Sequence, residues 1–395
     1  MEKGLPEADE LLDTVSDETG LTDFGDADDP GFRERLAVLL ENASRQNPPV
    51  EVEAAMVEVL RWMLSTRLQL FDDHKRYKLA NEKIVAPLIV VGEPRAGTTL
   101  LQSLLAQDPQ SRSPRFWEVY YPSPPPRLGS EVDRRIERAN ADWREILDQI
   151  PKWLISHPYN DELGMGLAEC ERLWAIDLRS TPPTGWWRVP LLDLAQGIPQ
   201  DEARQYEIHR MMLQQLQFGA EFDHWTLKGT SHQTRVGALL DTYPDARILW
   251  IHRDPVVTTA SFLELIAQIY EGIAGNVDRA ALAARNLAAI RNRISKIMSD
   301  PVVNDPRIRH LPYHEAVADL VDTMRQAYRT FDIEFTDAYE GGLVDWLARN
   351  KVDRYGKFIY KMDALNTDLS ALYSEFDPYL ERFGVRAERR PKPIS

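Results

Sequence analysis

The chain has 395 residues, 43% of them hydrophobic and 28% charged, with a formal net charge of −15. That charge argues against a general nucleic-acid binder, which needs clustered Lys and Arg to meet phosphates. The single cysteine, Cys170, excludes an internal disulfide and fits a reducing compartment such as the cytoplasm. No apolar run approaches the roughly 20 residues that span a bilayer, and the acidic N-terminus lacks a basic-then-apolar leader. The expectation is a soluble cytoplasmic protein.

Residues 1–83 read as a helical extension, its first 30 residues acidic and closing on Gly25-Asp26-Ala27-Asp28-Asp29-Pro30. Phe32, Leu36, Leu39 and Leu40, then Val57, Leu60, Met63, Leu64 and Leu68, recur at three-to-four spacing. That predicts two helices, broken at Asn47-Pro48-Pro49. From Ile84 the pattern changes. The apolar run Leu88 to Val91 meets a glycine-bracketed turn, Gly92-Glu93-Pro94-Arg95-Ala96-Gly97-Thr98-Thr99, and a helix runs on to about Ala106. Ser113 to Tyr121 is a short segment before Pro122-Ser123-Pro124-Pro125-Pro126, which must leave regular structure.

Residues 122–222 read as an aromatic-rich insertion. A mixed-charge helix covers 130–150, and an irregular stretch follows with Trp153, Trp174, Trp186, Trp187 and the prolines 182, 183 and 190. Residues 201–222 are helical again. His224 to Lys228 is a strand and Gln233 to Tyr243 a helix. Ala246 to His252 is a continuous apolar strand of the kind buried in a parallel sheet. Arg253-Asp254-Pro255 turns it into a helix through Ile266. Arg309 to Pro312 reads as a strand, and Asp319 to Phe331 and Ala364 to Phe383 as helices. Alternating strands and helices over 84–395 imply a three-layer α/β/α domain with a central parallel sheet.

Two anion grips follow from physics. The Gly92–Thr99 turn is a strand feeding a helix N-terminus, where free N–H groups and the helix dipole favour an anion. A nucleotide-hydrolysing loop would need Gly-Lys-Ser/Thr, and here Gly97 runs straight into Thr98-Thr99 with Arg95 as the cation. The second grip is Arg253 at the carboxyl end of a strand, with Ser261 eight residues on. The competing reading of that turn is an Arg253–Asp254 helix-cap pair. Two grips imply a ligand with two separated anionic groups.

GEPRAGTT, followed later by HRDPVVTTAS, resembles the sulfotransferases that use 3′-phosphoadenosine 5′-phosphosulfate. The likeness is to the large bacterial branch with a helical N-terminal extension and a GxPRxGTT loop. FWEVYYPSPPP, AECERL, WTLKGTSH, YPDARILWIHRDP and FDPYLERFGV have the same flavour. The resemblance implies a P-loop-like sulfotransferase fold and a nucleotide-binding transferase. Arg95, Ala96, Gly97, Thr98 and Thr99 would hold the 5′-phosphosulfate, and Arg253 and Ser261 the 3′-phosphate. Arg354-Tyr355-Gly356-Lys357 lies where the family often has a late basic segment near the donor, although branch members commonly carry His where Arg354 stands.

Sulfuryl transfer to a hydroxyl needs a proton acceptor, in-line approach and cations for the charge on the bridging oxygen. It demands no metal, and no Cys/His cluster with ligand spacing occurs. Lys228 and His232 stand in a K-x-x-x-H arrangement similar to the Lys-x-His stretch of the cytosolic sulfotransferases, whose histidine is the base. Glu118 stands about where the tyrosyl-protein branch has a glutamate base. Lys228, Glu118 and His232 are therefore the catalytic candidates, with His157 and Glu169 as further bases. Each has a structural reading beside it: Glu118 as a salt bridge to Arg95 or Arg115, His232 as a helix cap or core histidine, Lys228 as a surface lysine, His157 as a loop histidine.

Trp117 and the insertion's tryptophans would line an apolar cavity or simply form core. An apolar, phenolic or lipid-linked hydroxyl acceptor is favoured over an anionic polysaccharide, which the net charge would repel. The alternatives are a P-loop nucleotide kinase and a non-catalytic adenosine-bisphosphate-binding module. His252-Arg253-Asp254 is not a protein-kinase loop, because no glycine-rich hairpin or DFG accompanies it. Homo-oligomer formation and visits to a membrane surface are not fixed by the sequence.

Overall fold

The computed structural model describes residues 4–128, 132–179 and 193–391. Three helices open the chain: α1 (Ala8–Thr19), α2 (Phe32–Ser44) and α3 (Val50–Tyr77). The break between α2 and α3 falls at the proline pair. Leu11, Leu36, Leu60 and Leu64 of these helices join the same apolar core as Ile89 and Val91 of the sheet. A buried ionic knot adds to this junction: Arg35 and Arg67 both meet Asp29, and Arg35 also meets Asp177. The N-terminal extension thus shares one core with the α/β unit.

Next come β1 (Leu88–Gly92), α4 (Thr98–Leu105), β2 (Ser111–Arg112), α5 (Phe116–Tyr120) and α6 (Val132–Gln149). The insertion carries short helices α7 (Trp153–Ser156) and α8 (Cys170–Leu173) before α9 (Glu202–Gln217). Trp153 and Trp174 are buried core residues; Trp186 and Trp187, with the prolines 182, 183 and 190, lie outside the described residues. The second half holds β3 (His224–Gly229), α10 (Val236–Thr242), β4 (Arg247–His252), α11 (Pro255–Ala274) and α12 (Arg279–Ser299). It ends with β5 (Ile308–Pro312), α13 (Tyr313–Ala316), α14 (Leu320–Thr330), α15 (Asp337–Arg349) and α16 (Leu369–Arg382).

The sheet is wholly parallel, in the order β2-β3-β1-β4-β5. Its side chains alternate between two cores, as a two-residue period requires. Ile89, Val91, Leu227, Ile248 and Trp250 face the core shared with α1–α3. Leu88, Val90, Leu249, Ile251 and Leu311 face a second core closed by residues of α4, α14 and α15. The result is the expected three layers. The chain leaves β1 toward β3 and β2 on one side and comes back to β4 and β5 on the other. In such sheets ligands sit outside the carboxyl ends of the strands, at the point of reversal. Here that point is the end of β1.

Candidate active site

The loop leaving β1 is shaped by close approach. A Cβ on Gly92 would lie 2.6 Å from the Ile251 carbonyl oxygen of β4, so only glycine fits there. Glu93 is buried and pairs with Arg293 of α12, Nε at 2.9 Å and Nη2 at 2.8 Å. Arg95 has φ 72° and Gly97 φ 101°. A Cβ on Gly97 would come within 3.2 Å of the Tyr313 ring, over the mouth of α4. The N-cap of α4 is Gly97, which has no side chain to cap it, and no described side chain does so in its place. The N–H groups of its first turn are thus left for an anion. Ala96 and Thr98 are buried and Thr99 is half-buried along this turn.

The two grips expected to be separate adjoin. Arg95 donates from Nε to Ser261 Oγ at 3.1 Å and from Nη1 to the Ser156 carbonyl at 2.8 Å. Arg253 donates from Nη1 to the Arg95 carbonyl at 3.0 Å. Burial, with the Arg253 charge next, pulls the Arg95 guanidinium down to about 10. Asp254 does cap α11, accepting from Val256 and Val257 N–H at 2.9 and 3.3 Å. Arg253, however, pairs with Glu388 near the C-terminus rather than with Asp254. Phe358 lies against the Arg95 guanidinium and Tyr313 against that of Arg253.

Beside this assembly, Lys228 stands at the end of β3, opposite Val90 of β1. It is not a surface lysine. Its side chain is 2% exposed and forms an ion pair with Glu169, which is 30% exposed. His157 stacks on Trp153 at 4.2 Å between ring centroids. Its Nδ1 is 3.1 Å from Ser156 Oγ, which itself donates to the Trp153 carbonyl at 2.8 Å. That leaves Ser156 to accept from His157 Nδ1–H and turns Nε2 into the acceptor nitrogen. Burial, then the charges of Arg95, Lys228 and Arg172, holds the imidazole neutral, well below its ordinary range.

Two expected bases are placed differently. Glu118 is buried in α5 with both oxygens engaged, one by Arg112 and the other by the Arg115 backbone N–H at 2.9 Å. Burial pushes its carboxyl up and Arg112 opposes the rise. This pins β2 to the start of α5, through Arg112 rather than the Arg95 or Arg115 side chains. His232 is fully buried, with Nδ1 2.7 Å from Tyr206 Oη and its edge against Trp174. Burial holds it at about 3. Arg354 and Tyr355 both grip Asp161, at 2.8 and 2.7 Å. They dock the late segment on the His157 loop, and it is Phe358 that reaches Arg95.

Sequence reasoning missed Tyr313, Phe358 and Glu388, whose approach depends on chain far from the motifs. Spacing also concealed a cluster: Cys170, His209 and His232 are gathered in the core from three elements.

The family model described as the sulfotransferase family matches residues 87–337. The chain belongs to the sulfotransferase family. It is 27% identical to a sulfotransferase of Mycobacterium avium whose crystal structure superposes with a TM-score of 0.82, covering 99% of this chain and 100% of that one. A Mycobacterium tuberculosis sulfotransferase structure shares the fold at 24% identity and a TM-score of 0.76, over 95% and 100% of the two chains. A 26% identical relative from Mycobacterium tuberculosis, matched over 277 residues and 68% of each chain, is an omega-hydroxy-beta-dihydromenaquinone-9 sulfotransferase. The protein is thus a sulfotransferase enzyme, with the parallel-sheet fold of that family. Among its described residues, no helix is long and apolar enough to cross a membrane.

Proposed function

We propose that this sulfotransferase moves the sulfuryl group of 3′-phosphoadenosine 5′-phosphosulfate to a hydroxyl of a small apolar, phenolic or lipid-like acceptor. The observation that carries this reading is the uncapped start of α4 adjoining Arg95, Ser261 and Arg253, with the Lys228–Glu169 pair beside them. In this reading Arg95, Ala96, Gly97, Thr98 and Thr99 hold the 5′-phosphosulfate through backbone N–H groups and the Arg95 charge. Gly97 keeps the ground over those N–H groups clear. Arg253 and Ser261 hold the 3′-phosphate, Arg253 exchanging Glu388 for it. Arg354 and Tyr355 act one step back, by fixing the His157 loop.

In this reading the roles follow access to solvent. Glu169 takes the acceptor's hydroxyl proton as the new oxygen–sulfur bond forms. The bond from sulfur to the phosphate oxygen breaks, and the desolvated Lys228 ammonium meets the charge that builds on that oxygen. His157, kept neutral, offers Nε2 to orient the acceptor hydroxyl. Glu118 and His232 hold the scaffold.

For the acceptor, the support is the quinone-linked alcohol named for the 26% identical relative. The test offers labelled donor with a panel of apolar alcohols, phenols and lipid quinols. Transfer to at least one apolar hydroxyl is expected. Donor binding with no transfer across the panel would overturn this acceptor class.

A further inference from the structure

Cys170 opens α8, His209 lies in the middle of α9, and His232 sits in the turn after β3. One potential ligand atom from each lies within 4.8 Å of the other two. Three atoms so placed share a point within about 2.8 Å of each, against ~2.0–2.3 Å for Zn–N and Zn–S bonds. A contraction of well under 1 Å would close the site. All three side chains are buried, the histidines completely.

The imidazoles are oriented as metal-binding imidazoles are. His209 Nδ1 is 2.7 Å from Tyr243 Oη and His232 Nδ1 is 2.7 Å from Tyr206 Oη. Among the described residues, Nε2 of each ring has no hydrogen-bond partner. A ligating histidine characteristically gives its other ring N–H to an outer partner, and here a tyrosine hydroxyl stands ready on each. Both Nε2 atoms are therefore buried polar atoms without a partner, which a shared cation would supply. Gly229 supplies the room: a Cβ there would lie 2.8 Å from His232 Nε2 and 3.1 Å from Cys170 Cβ.

We propose that Cys170 Sγ, His209 Nε2 and His232 Nε2 bind a single thiophilic d10 cation, Cu(I) or Zn(II). One thiolate and two neutral imidazoles suit that class, since sulfur and imidazole select Zn and Cu(I) over the oxygen-loving ions. Binding expels the Cys170 thiol proton to solvent. A trigonal Cu(I) complex is then neutral, whereas Zn(II) keeps one positive charge and a fourth position for water. The ion ties α8, α9 and the turn after β3 together next to the Lys228–Glu169 pair. Cys170 follows Glu169 and Gly229 follows Lys228. The binding itself does not depend on the donor reading above.

The test uses the full chain without a polyhistidine tag, stripped by chelator. It is titrated with Zn(II), and anaerobically with Cu(I), against a chromophoric chelator. One equivalent is expected, with a higher melting temperature when loaded. Cys170→Ser and His209→Gln should each weaken binding by about 100-fold or more. The tighter of the two metals identifies the cation. Co(II) bound to the unsubstituted chain should show a sulfur-to-cobalt charge-transfer band, a readout independent of whether a variant folds. Substoichiometric binding of both ions, affinity unchanged in Cys170→Ser, or bound Co(II) without that band would overturn the site.

Discussion

Arg253 donates to both carboxylate oxygens of Glu388, from Nε at 2.7 Å and from Nη2 at 2.9 Å. The C-terminal tail thereby occupies the cation proposed to meet the 3′-phosphate. The pair is part-exposed, so its worth is about 1 kcal/mol or less. Glu388→Gln should therefore tighten adenosine 3′,5′-bisphosphate by up to about 5-fold in a calorimetric titration. Arg253→Ala should weaken it by roughly 10- to 100-fold, through loss of charge-assisted hydrogen bonds. Unchanged affinity in Glu388→Gln would show that Glu388 does not compete.

Catalysis should follow the partly exposed carboxylate. Glu169→Gln is expected to lower kcat by about 10²–10⁴ with little change in bisphosphate affinity, because proton transfer is felt only in the transition state. Glu118→Gln leaves a buried Arg112 without its partner, which costs stability by about 1–3 kcal/mol. Its signature is a lower melting temperature with kcat of the folded enzyme retained. The reverse pattern in the two variants would exchange their roles.

Gly97→Ala tests the loop. At φ 101° an L side chain is strained, and its Cβ would press on Tyr313. The substitution should cost about 1–3 kcal/mol of stability and weaken the bisphosphate together with it. A variant with unchanged melting temperature and affinity would show that the loop's backbone geometry is not what holds the anion.

His252 gives an acid signature. Its Nδ1 meets Tyr379 Oη at 2.7 Å and its Nε2 meets His310 Nδ1 at 2.8 Å, with the ring fully buried. Burial, then the charges of His310 and Arg382, holds it neutral, well below its ordinary range. The depressed value sets the sign: the stabilisation is whole above about pH 6.5, where folded and unfolded rings are both neutral. Below that the unfolded chain binds a proton the folded chain refuses, and stability falls by up to about 1.4 kcal/mol per pH unit. Melting temperatures from pH 7 to pH 5 should fall less steeply in His252→Gln than in the unsubstituted enzyme.

Much of the architecture was written locally. The run Leu88 to Val91 before a glycine-bracketed turn reads as a strand, Ala246 to His252 as one buried in a parallel sheet, and Gly97 before two threonines marks a helix start open to an anion. Asn47-Pro48-Pro49 places its break correctly for the same reason. Among the helices that escaped notice, α1 lies in the acidic first 30 residues, and α12 and α15 read poorly because Ala, Arg and Asp dilute the apolar period in RAALAARNLAAIRNRISKIMS and DAYEGGLVDWLAR. At the site, residue type alone could not rank Glu118, His232, His157 and Glu169. What separates them is burial and partners, such as Arg112 on Glu118 and Tyr206 on His232, and these come from elements distant in sequence. Cys170, His209 and His232 were hidden in the same way, since no fixed spacing unites three elements.

The central claim is that the loop and Arg253 form one grip for a donor phosphorylated at both ends of its ribose. Equilibrium binding of adenosine 3′,5′-bisphosphate, compared with adenosine 5′-monophosphate and with ATP plus Mg²⁺, tests it directly. The bisphosphate should bind tightest, by at least about 10-fold over the monophosphate, and Arg253→Ala should erase that margin. Preference for ATP with Mg²⁺, or a margin that survives Arg253→Ala, would contradict the account.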